Sequence, residues 1–138
     1  MKFENSLGKL LKQQIPPRLG EAKNDQWVKY FLAGKEHRGG GKLRWAQMDL
    51  VIEGKRSVVI GECKLTQQRA GRQELERLYL PLARLLWPGK QLVPVMFFLN
   101  STESEYEEGD VVGFVRSCLT RELAQSGVID FRVDRDVL

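Results

Sequence analysis

Three charged residues interrupt two otherwise apolar segments of the chain. Asp49 begins the segment 49–53, and Glu62 and Lys64 lie near the end of the segment 57–65. Charged groups among apolar residues cost free energy unless they are paired or have a function. Two carboxylates held close together offer oxygen ligands to a hard cation such as Mg²⁺. A neighbouring lysine can stabilise negative charge that develops during a reaction.

The two segments predict a β-hairpin that brings these residues together. Both are rich in β-branched residues, and Gly54-Lys55-Arg56 between them is typical of a turn. Side chains alternate along a strand, so Glu62 and Lys64 share a face that Cys63 does not. Asp49 lies at the open end of the first arm, opposite the far end of the second. We therefore expect Asp49, Glu62 and Lys64 to converge.

An Asp at the start of one arm and a Glu-x-Lys at the end of the next resembles the PD-(D/E)xK phosphodiesterases, the restriction-endonuclease-like nucleases. The matching residues are Asp49, Glu62 and Lys64, with Met48 in the position of the leading proline. The motif covers the hairpin, and the flanking elements extend the resemblance over about residues 21–100. It implies a single α/β domain with a mixed sheet flanked by helices. It also implies hydrolysis of phosphodiester bonds with Mg²⁺ or Mn²⁺.

The resemblance also implies roles for the residues of the hairpin. Asp49 and Glu62 are expected to hold the cation, with the backbone carbonyl of Cys63 as a third ligand. Lys64 is expected to orient the attacking water or to stabilise the charge of the transition state. The alternative without a function is a turn-capping Asp49 beside a Glu62–Lys64 ion pair at the rim of the sheet.

Two helices are predicted before the hairpin. Apolar residues recur at helical spacing from about Lys2 to Gln14, and Pro16-Pro17 ends this helix. A second helix is predicted over about residues 20–32. Nucleases of this type often carry a Glu on the helix before the hairpin. Glu21 is the preferred match and Glu4 the second, although Glu21 equally suits a plain helix N-terminus.

The remainder of the chain alternates between helices and strands. Residues 35–41 predict a loop, and residues 43–47 predict a separate first strand or the start of a long bent one. A helix with a buried leucine stripe follows Lys64, and Pro81 is expected to kink or split it. A strand over 92–99, a helix over 110–125 and a strand over 128–133 complete a single domain with parallel crossovers. Its helical part is predicted over about 1–34 and its catalytic core over about 42–138.

The distribution of charge favours a polyanionic partner, and DNA more than RNA. The net charge is +4, and basic residues outnumber acidic ones before Asp49. Trp45 is a candidate for stacking on a base, with a core position as the alternative. The predicted nucleic-acid contacts are basic or amide side chains near the hairpin and the helix after it: Arg38, Lys42, Arg44, Gln68, Arg69, Arg72 and Gln73.

Composition excludes several other classes of function. The chain has one histidine, His37, so neither a His-centred triad nor a Cys/His zinc site is expected. The two cysteines, Cys63 and Cys118, do not form a disulfide framework, which favours a cytoplasmic protein. No apolar run has the length of a membrane span, so no membrane partner is expected.

These patterns predict a metal-dependent endonuclease acting on DNA, with branched or otherwise structured DNA as a candidate substrate. Two alternatives stay open. One is an RNA-cleaving relative, because the same site would attack either phosphodiester. The other is a catalytically inactive binding module of the same fold. Exposed parts of the leucine-rich helix are a candidate surface for a homodimer.

Overall fold

A computed structural model describes residues 2–32, 42–67, 69–100, 105–122 and 127–138. Their strands form one six-stranded mixed sheet with helices on both faces, as the sequence predicts. The strands are β1 (Glu21–Leu32), β2 (Lys42–Glu53), β3 (Ser57–Thr66), β4 (Gln91–Asn100), β5 (Glu107–Glu108) and β6 (Ile129–Arg132). The α-helices are α1 (Lys2–Gln14), α2 (Arg69–Glu74), α3 (Leu80–Leu86) and α4 (Val111–Thr120).

The sheet joins an antiparallel half to a parallel half in the order β1-β2-β3-β4-β6-β5. Strands β1, β2 and β3 pair antiparallel, which confirms the predicted hairpin. Strands β3, β4 and β6 pair in parallel. The middle of β4 is entirely apolar, as is typical of a parallel strand whose two faces are both covered.

Each face of the sheet carries its own hydrophobic core. The first core lies beneath α1 and α4, and its largest buried side chains include Leu7, Leu11 and Phe97. The second core lies beneath α2 and α3, and it includes Leu75, Tyr79 and Met96. This arrangement leaves the open end of the hairpin between α1 and α2.

The predicted second helix over residues 20–32 is wrong, because this segment is strand β1. Its residues pair with β2 from Glu21 opposite Glu53 to Leu32 opposite Lys42. Val28 and Tyr30 pack against the second core, whereas Trp27 and Phe31 are exposed. Burial therefore has period two rather than the helical period. The segment 43–47 is the start of the long strand β2, which is the second of the two predicted alternatives.

At Asp25 and Asp49, the β1–β2 pair changes which of its two faces is directed towards each core. On one side of these residues, Ala22 and Leu50 belong to the first core. On the other side, Ala46 and Met48 belong to the second core, although the pairing register is unchanged. Asp25 has a φ of 52°, a conformation that Asp tolerates better than most residues. The carboxylates of interest therefore lie where the ribbon changes face.

The helix after β3 is divided as the sequence predicts for a segment containing Pro81. A π-helical turn, Leu75–Tyr79, separates α2 from α3. Pro81 closely follows this π-helical turn, within a continuous run of helical residues from Arg69 to Leu86. Helix α4 ends at Thr120, earlier than predicted, and β6 follows at Ile129. The predicted loop 35–41 and residues 123–126 lie outside the described residues.

No helix of the described ranges is long and apolar enough to cross a membrane.

Truncation of Leu11 tests the packing of α1 on the sheet. Leu11 is fully buried in the first core, so Leu11→Ala should lower the free energy of unfolding by about 2–5 kcal/mol. Leu85 is 81% exposed, and Leu85→Ala should change it by less than about 0.5 kcal/mol. Urea unfolding measures both, and equal values for the two variants would contradict the assigned position of α1.

Candidate metal and catalytic site

Asp49 and Glu62 come together where β2 separates from β3. The last paired residues of the two strands are Leu50 and Gly61. One step further, the Cys63 N–H donates a hydrogen bond to Asp49 Oδ2 at 2.9 Å. The Asp49 side chain thus accepts from β3 at the point where the backbone pairing ends. This contact holds its carboxylate beside Glu62, as the hairpin geometry predicts.

Glu62 is a buried carboxyl group that faces a second carboxyl group. Its residue is 3% exposed. The pKa of Glu62 is raised to about 8, mainly by burial and then by the charge of Asp49 and a hydrogen bond with Asp49. Within the described part of the chain, Glu62 Oε2 has no hydrogen-bond partner. Buried polar oxygens in folded proteins nearly always have a partner, so this one requires an explanation.

Lys64 completes the predicted triad. Its Nζ lies 3.3 Å from Glu62 Oε1, and its side chain is 32% exposed. Burial lowers the pKa of Lys64, but the charges of Glu62, Asp49 and Glu74 outweigh it and raise the pKa overall. Lys64 is therefore a fixed cation at the rim of the site. A Cβ on Gly71 of α2 would lie 3.5 Å from Lys64 Cε, so the helix backbone packs against the lysine stem.

A further acidic group lies on the other side of Asp49. One carboxylate oxygen from each of Glu4, Asp25 and Asp49 lies within 4.8 Å of the others. Asn24 ties these elements together, since its Nδ2 donates to the Glu4 carbonyl at 2.9 Å and to the Asp49 carbonyl at 3.4 Å. Partial burial, together with the charge of Asp49, raises the pKa of Glu4. Asp49 is thus shared between Glu62 and this second group.

Helix α1 reaches the site because Gly8 has no side chain. A Cβ at Gly8 would overlap Asn24 Oδ1. The glycine therefore lets α1 lie directly on Asn24 and places Glu4 beside Asp49. Glu4 is the second of the two predicted candidates for the helix carboxylate. It is the one that the structure brings to Asp49.

Glu21, the preferred candidate, does not reach the site. It begins β1 opposite Glu53, near the turn of the hairpin, and it is exposed. Asp49 lies towards the other end of the same strand pair. The expectation depended on a helix over 20–32, and the strand carries Glu21 away instead.

Glu74 is an acidic neighbour that the sequence reasoning missed. It ends α2, and Tyr79 donates a hydrogen bond to Glu74 Oε1 at 2.8 Å. Burial, followed by the charge of Glu62 and the bond to Glu74, raises the pKa of Tyr79. The charge of Glu74 also adds to the raised pKa of Glu62. The spacing of Glu74 and Tyr79 matches the i, i+5 repeat of a π turn, which the sequence did not signal.

The predicted nucleic-acid contacts have mixed surroundings. Arg44 and Arg69 are exposed and Gln73 is half-buried. Arg72 instead pairs with the buried Asp130, which also accepts from Gln67 Nε2 at 2.6 Å. The remaining side chains, of Arg38, Lys42 and Gln68, lie outside the described set. Arg72 therefore has a structural partner that the sequence did not reveal.

The donor set suits a hard divalent cation. The group that could hold a metal ion is Glu4, Asp25 and Asp49, with Glu62 beside Asp49. All four offer carboxylate oxygens, the ligands that Mg²⁺ and Mn²⁺ prefer. The unpartnered Oε2 of Glu62 and the crowding of like charges around Asp49 are both relieved when a cation is bound. A pocket of about 370 Å³ lies at the turn end of the hairpin, beside Lys55, Ser57 and Arg121.

No protein-family model, no curated protein and no solved structure matches this chain.

The close approach of α1 predicts an unusual effect of Gly8→Ala. Alanine favours a helix over glycine by about 1 kcal/mol. Here the added methyl group would displace Asn24, so the variant should lose about 1–3 kcal/mol of stability. Lys9→Ala, at the next and exposed position, should have little effect. A gain of stability in Gly8→Ala, measured by urea unfolding, would contradict the contact.

The raised pKa of Glu62 predicts a dependence of stability on pH in metal-free protein. Between its ordinary value of 4.5 and about 8, the folded state keeps a proton that the unfolded state has lost. The free energy of unfolding should therefore fall as pH rises, by up to about 1.4 kcal/mol per pH unit.

Glu62→Gln should reduce this dependence, leaving the smaller part that comes from Glu4, whereas Glu76→Gln, on the exposed side of the helix, should keep it in full. Urea unfolding from pH 5 to pH 8 in EDTA measures the slopes. Identical slopes in wild type and Glu62→Gln would mean that Glu62 ionises normally.

Proposed function

We propose that this protein is a metal-dependent phosphodiesterase, an endonuclease acting on DNA. One observation carries the proposal: the buried carboxyl group of Glu62 faces Asp49 and pairs with Lys64. The resemblance of these residues to the PD-(D/E)xK nucleases supports it. The order of helix, hairpin, helix and strand, with a carboxylate from α1 beside Asp49, supports it as well.

Asp49 and Glu62 would hold Mg²⁺ or Mn²⁺, with Glu4 as the contribution of α1 and the Cys63 carbonyl as a further oxygen. When bound, such a cation lowers the pKa of water, polarises the phosphate and neutralises the charge of the transition state. The hydrogen bond from Cys63 N–H fixes the orientation of Asp49. The chain thereby positions its ligands before any substrate arrives, which lowers the reorganisation needed during the reaction.

Lys64 would act directly on the reacting groups. Its raised pKa keeps the ammonium charged at neutral pH. Its partial exposure allows contact with a phosphate oxygen or with the attacking water. An ammonium group in this position stabilises negative charge that grows as the phosphodiester is attacked. The carboxylates that surround Lys64 hold it at the site through its charge.

The basic residues around the site favour a nucleic acid as the substrate. Arg44 and Arg69 are exposed on β2 and α2, the elements that flank the carboxylates. Exposed arginines can bind backbone phosphates irrespective of sequence. A polymer also suits a site that lies at an open strand end rather than in a closed pocket. An RNA-cleaving enzyme is the alternative, and dependence on a ribose 2′-OH would identify it.

A purely structural ion pair between Glu62 and Lys64 explains less. Such pairs at a protein surface contribute about 0–1 kcal/mol. Glu62 is buried, and it faces another carboxylate as well as the lysine. Like charges brought together in this way destabilise a fold unless a ligand compensates for them. The arrangement therefore favours a binding site over a stabilising pair.

The proposal predicts cleavage that depends on the metal and on Lys64. Purified protein should cut at least one member of a panel of linear, branched and single-stranded DNA when Mg²⁺ or Mn²⁺ is added. Lys64→Ala and Asp49→Asn should each lower the rate by about 100-fold or more, because each removes a group acting in the transition state. Rates of product formation on labelled substrates measure the effect.

Lys55→Ala is the matched control, since Lys55 is an exposed lysine at the other end of the same hairpin. It should cleave at the wild-type rate. Equal cleavage by wild type and Lys64→Ala would place the active site elsewhere. No cleavage of DNA or RNA by wild type would favour an inactive binding module.

A further inference from the structure

The outer half of the β1–β2 pair extends beyond the rest of the sheet. Strand β3 pairs with β2 only from Leu50 to Glu53. The remaining residues of β2, as far as Lys42, pair with β1 alone. These two segments, 26–32 and 42–48, form a two-stranded ribbon next to the candidate site. We call them the ribbon.

One face of the ribbon exposes large aromatic side chains. Trp27 is 61% exposed, Trp45 59% and Phe31 64%. Trp27 and Phe31 are four residues apart on β1, and Trp45 lies opposite Lys29 between them. These side chains therefore lie on one face. The other face packs into the second core through Val28 and Ala46.

The ribbon is basic as well as aromatic. The two segments contain no acidic residue. Lys29 lies on the aromatic face, and Arg44, which pairs with Tyr30, is exposed on the other face. Lys29 Nζ lies 5.4 Å from the centre of the Trp45 ring, within the range of a cation–π contact. A hydrophobic protein partner has no need of this charge. An aromatic and cationic surface matches a polyanion with flat apolar groups, which describes a nucleic-acid strand with unpaired bases.

The exposed face leads into the candidate site. Gln47 lies opposite Trp27 in the ribbon, and its Nε2 donates to Asp25 Oδ1 at 2.9 Å. Asp25 belongs to the carboxylate group that includes Asp49. A strand bound along the aromatic face would therefore approach the candidate ligands directly. Trp27 marks the end of the face that is nearest to them.

We propose that the ribbon binds an unpaired segment of nucleic acid, whose bases stack on Trp27 and Trp45 while Lys29 contacts its phosphates. In a duplex the bases are stacked on one another and are closed to such contacts. The inference therefore defines the substrate class as DNA with a single-stranded segment beside the scissile bond. That there is a scissile bond rests on the proposed function, whereas binding to the ribbon can be measured without catalysis.

Binding of a fluorescein-labelled single-stranded oligo-dT to the full chain in EDTA tests the proposal. Fluorescence anisotropy should show a Kd that rises about five- to 100-fold in Trp27→Ala and in Trp45→Ala. Trp45→Phe, which keeps an aromatic ring, should recover much of the affinity. Leu85→Ala removes an apolar side chain that is 81% exposed on α3, and it should bind as wild type does. A duplex of the same length should bind more weakly and be insensitive to the tryptophan variants.

An unchanged Kd in both alanine variants would overturn the proposal, as would failure of wild type to bind the single strand. Loss of a dimer in these variants, measured by sedimentation and without a change in Kd, would show that the face joins two copies of the chain. Tryptophan-dependent binding without metal-dependent cleavage would refute the nuclease and leave the ribbon site standing. If the tryptophan variants changed neither cleavage nor binding, the ribbon site would be refuted and the nuclease would stand.

Discussion

The proximity of the Asp49 and Glu62 carboxyl groups is the constraint on which the rest of the site depends. A folded chain gains nothing from two acids held together at the buried end of a hairpin. The surrounding structure nevertheless fixes both, Asp49 through the Cys63 N–H and Glu62 through burial and Lys64. Proton uptake by Glu62, or a bound cation, is what relieves the repulsion. The free energy of unfolding should therefore depend on the same two groups that carry the proposed chemistry.

Much of the antiparallel half was predictable from local pattern, because β-branched runs around Gly54-Lys55-Arg56 have few alternatives to a hairpin. Strand β1 was not. Its apolar residues also fit a helical repeat, and Trp27 and Phe31 face outwards. Long-range pairing with β2 decided its conformation, and local sequence does not encode that contact. For this reason the sequence places Trp27 in a predicted helix. Its exposure on the strand is the observation behind the proposed binding by the ribbon.

The candidate site was likewise predictable only in part. Asp49, Glu62 and Lys64 were predictable because strand alternation and hairpin closure fix their relative positions. The contribution of α1 depends on packing between distant elements. It selects Glu4 rather than Glu21, and Gly8 makes it possible by leaving room for Asn24. A glycine within a helix gives no sign in the sequence of what it approaches.

Direct binding of Mn²⁺ tests the central claim, that these carboxylates form a cation site. The free Mn²⁺ signal in electron paramagnetic resonance should fall when wild type is added, and this loss should be saturable. Asp49→Asn should abolish the loss, because Asp49 is shared by both carboxylate groups. Glu21→Gln, which alters an exposed carboxylate at the start of β1 and outside the site, should bind as wild type does. Equal binding by wild type and Asp49→Asn, or no binding by wild type, would contradict the account.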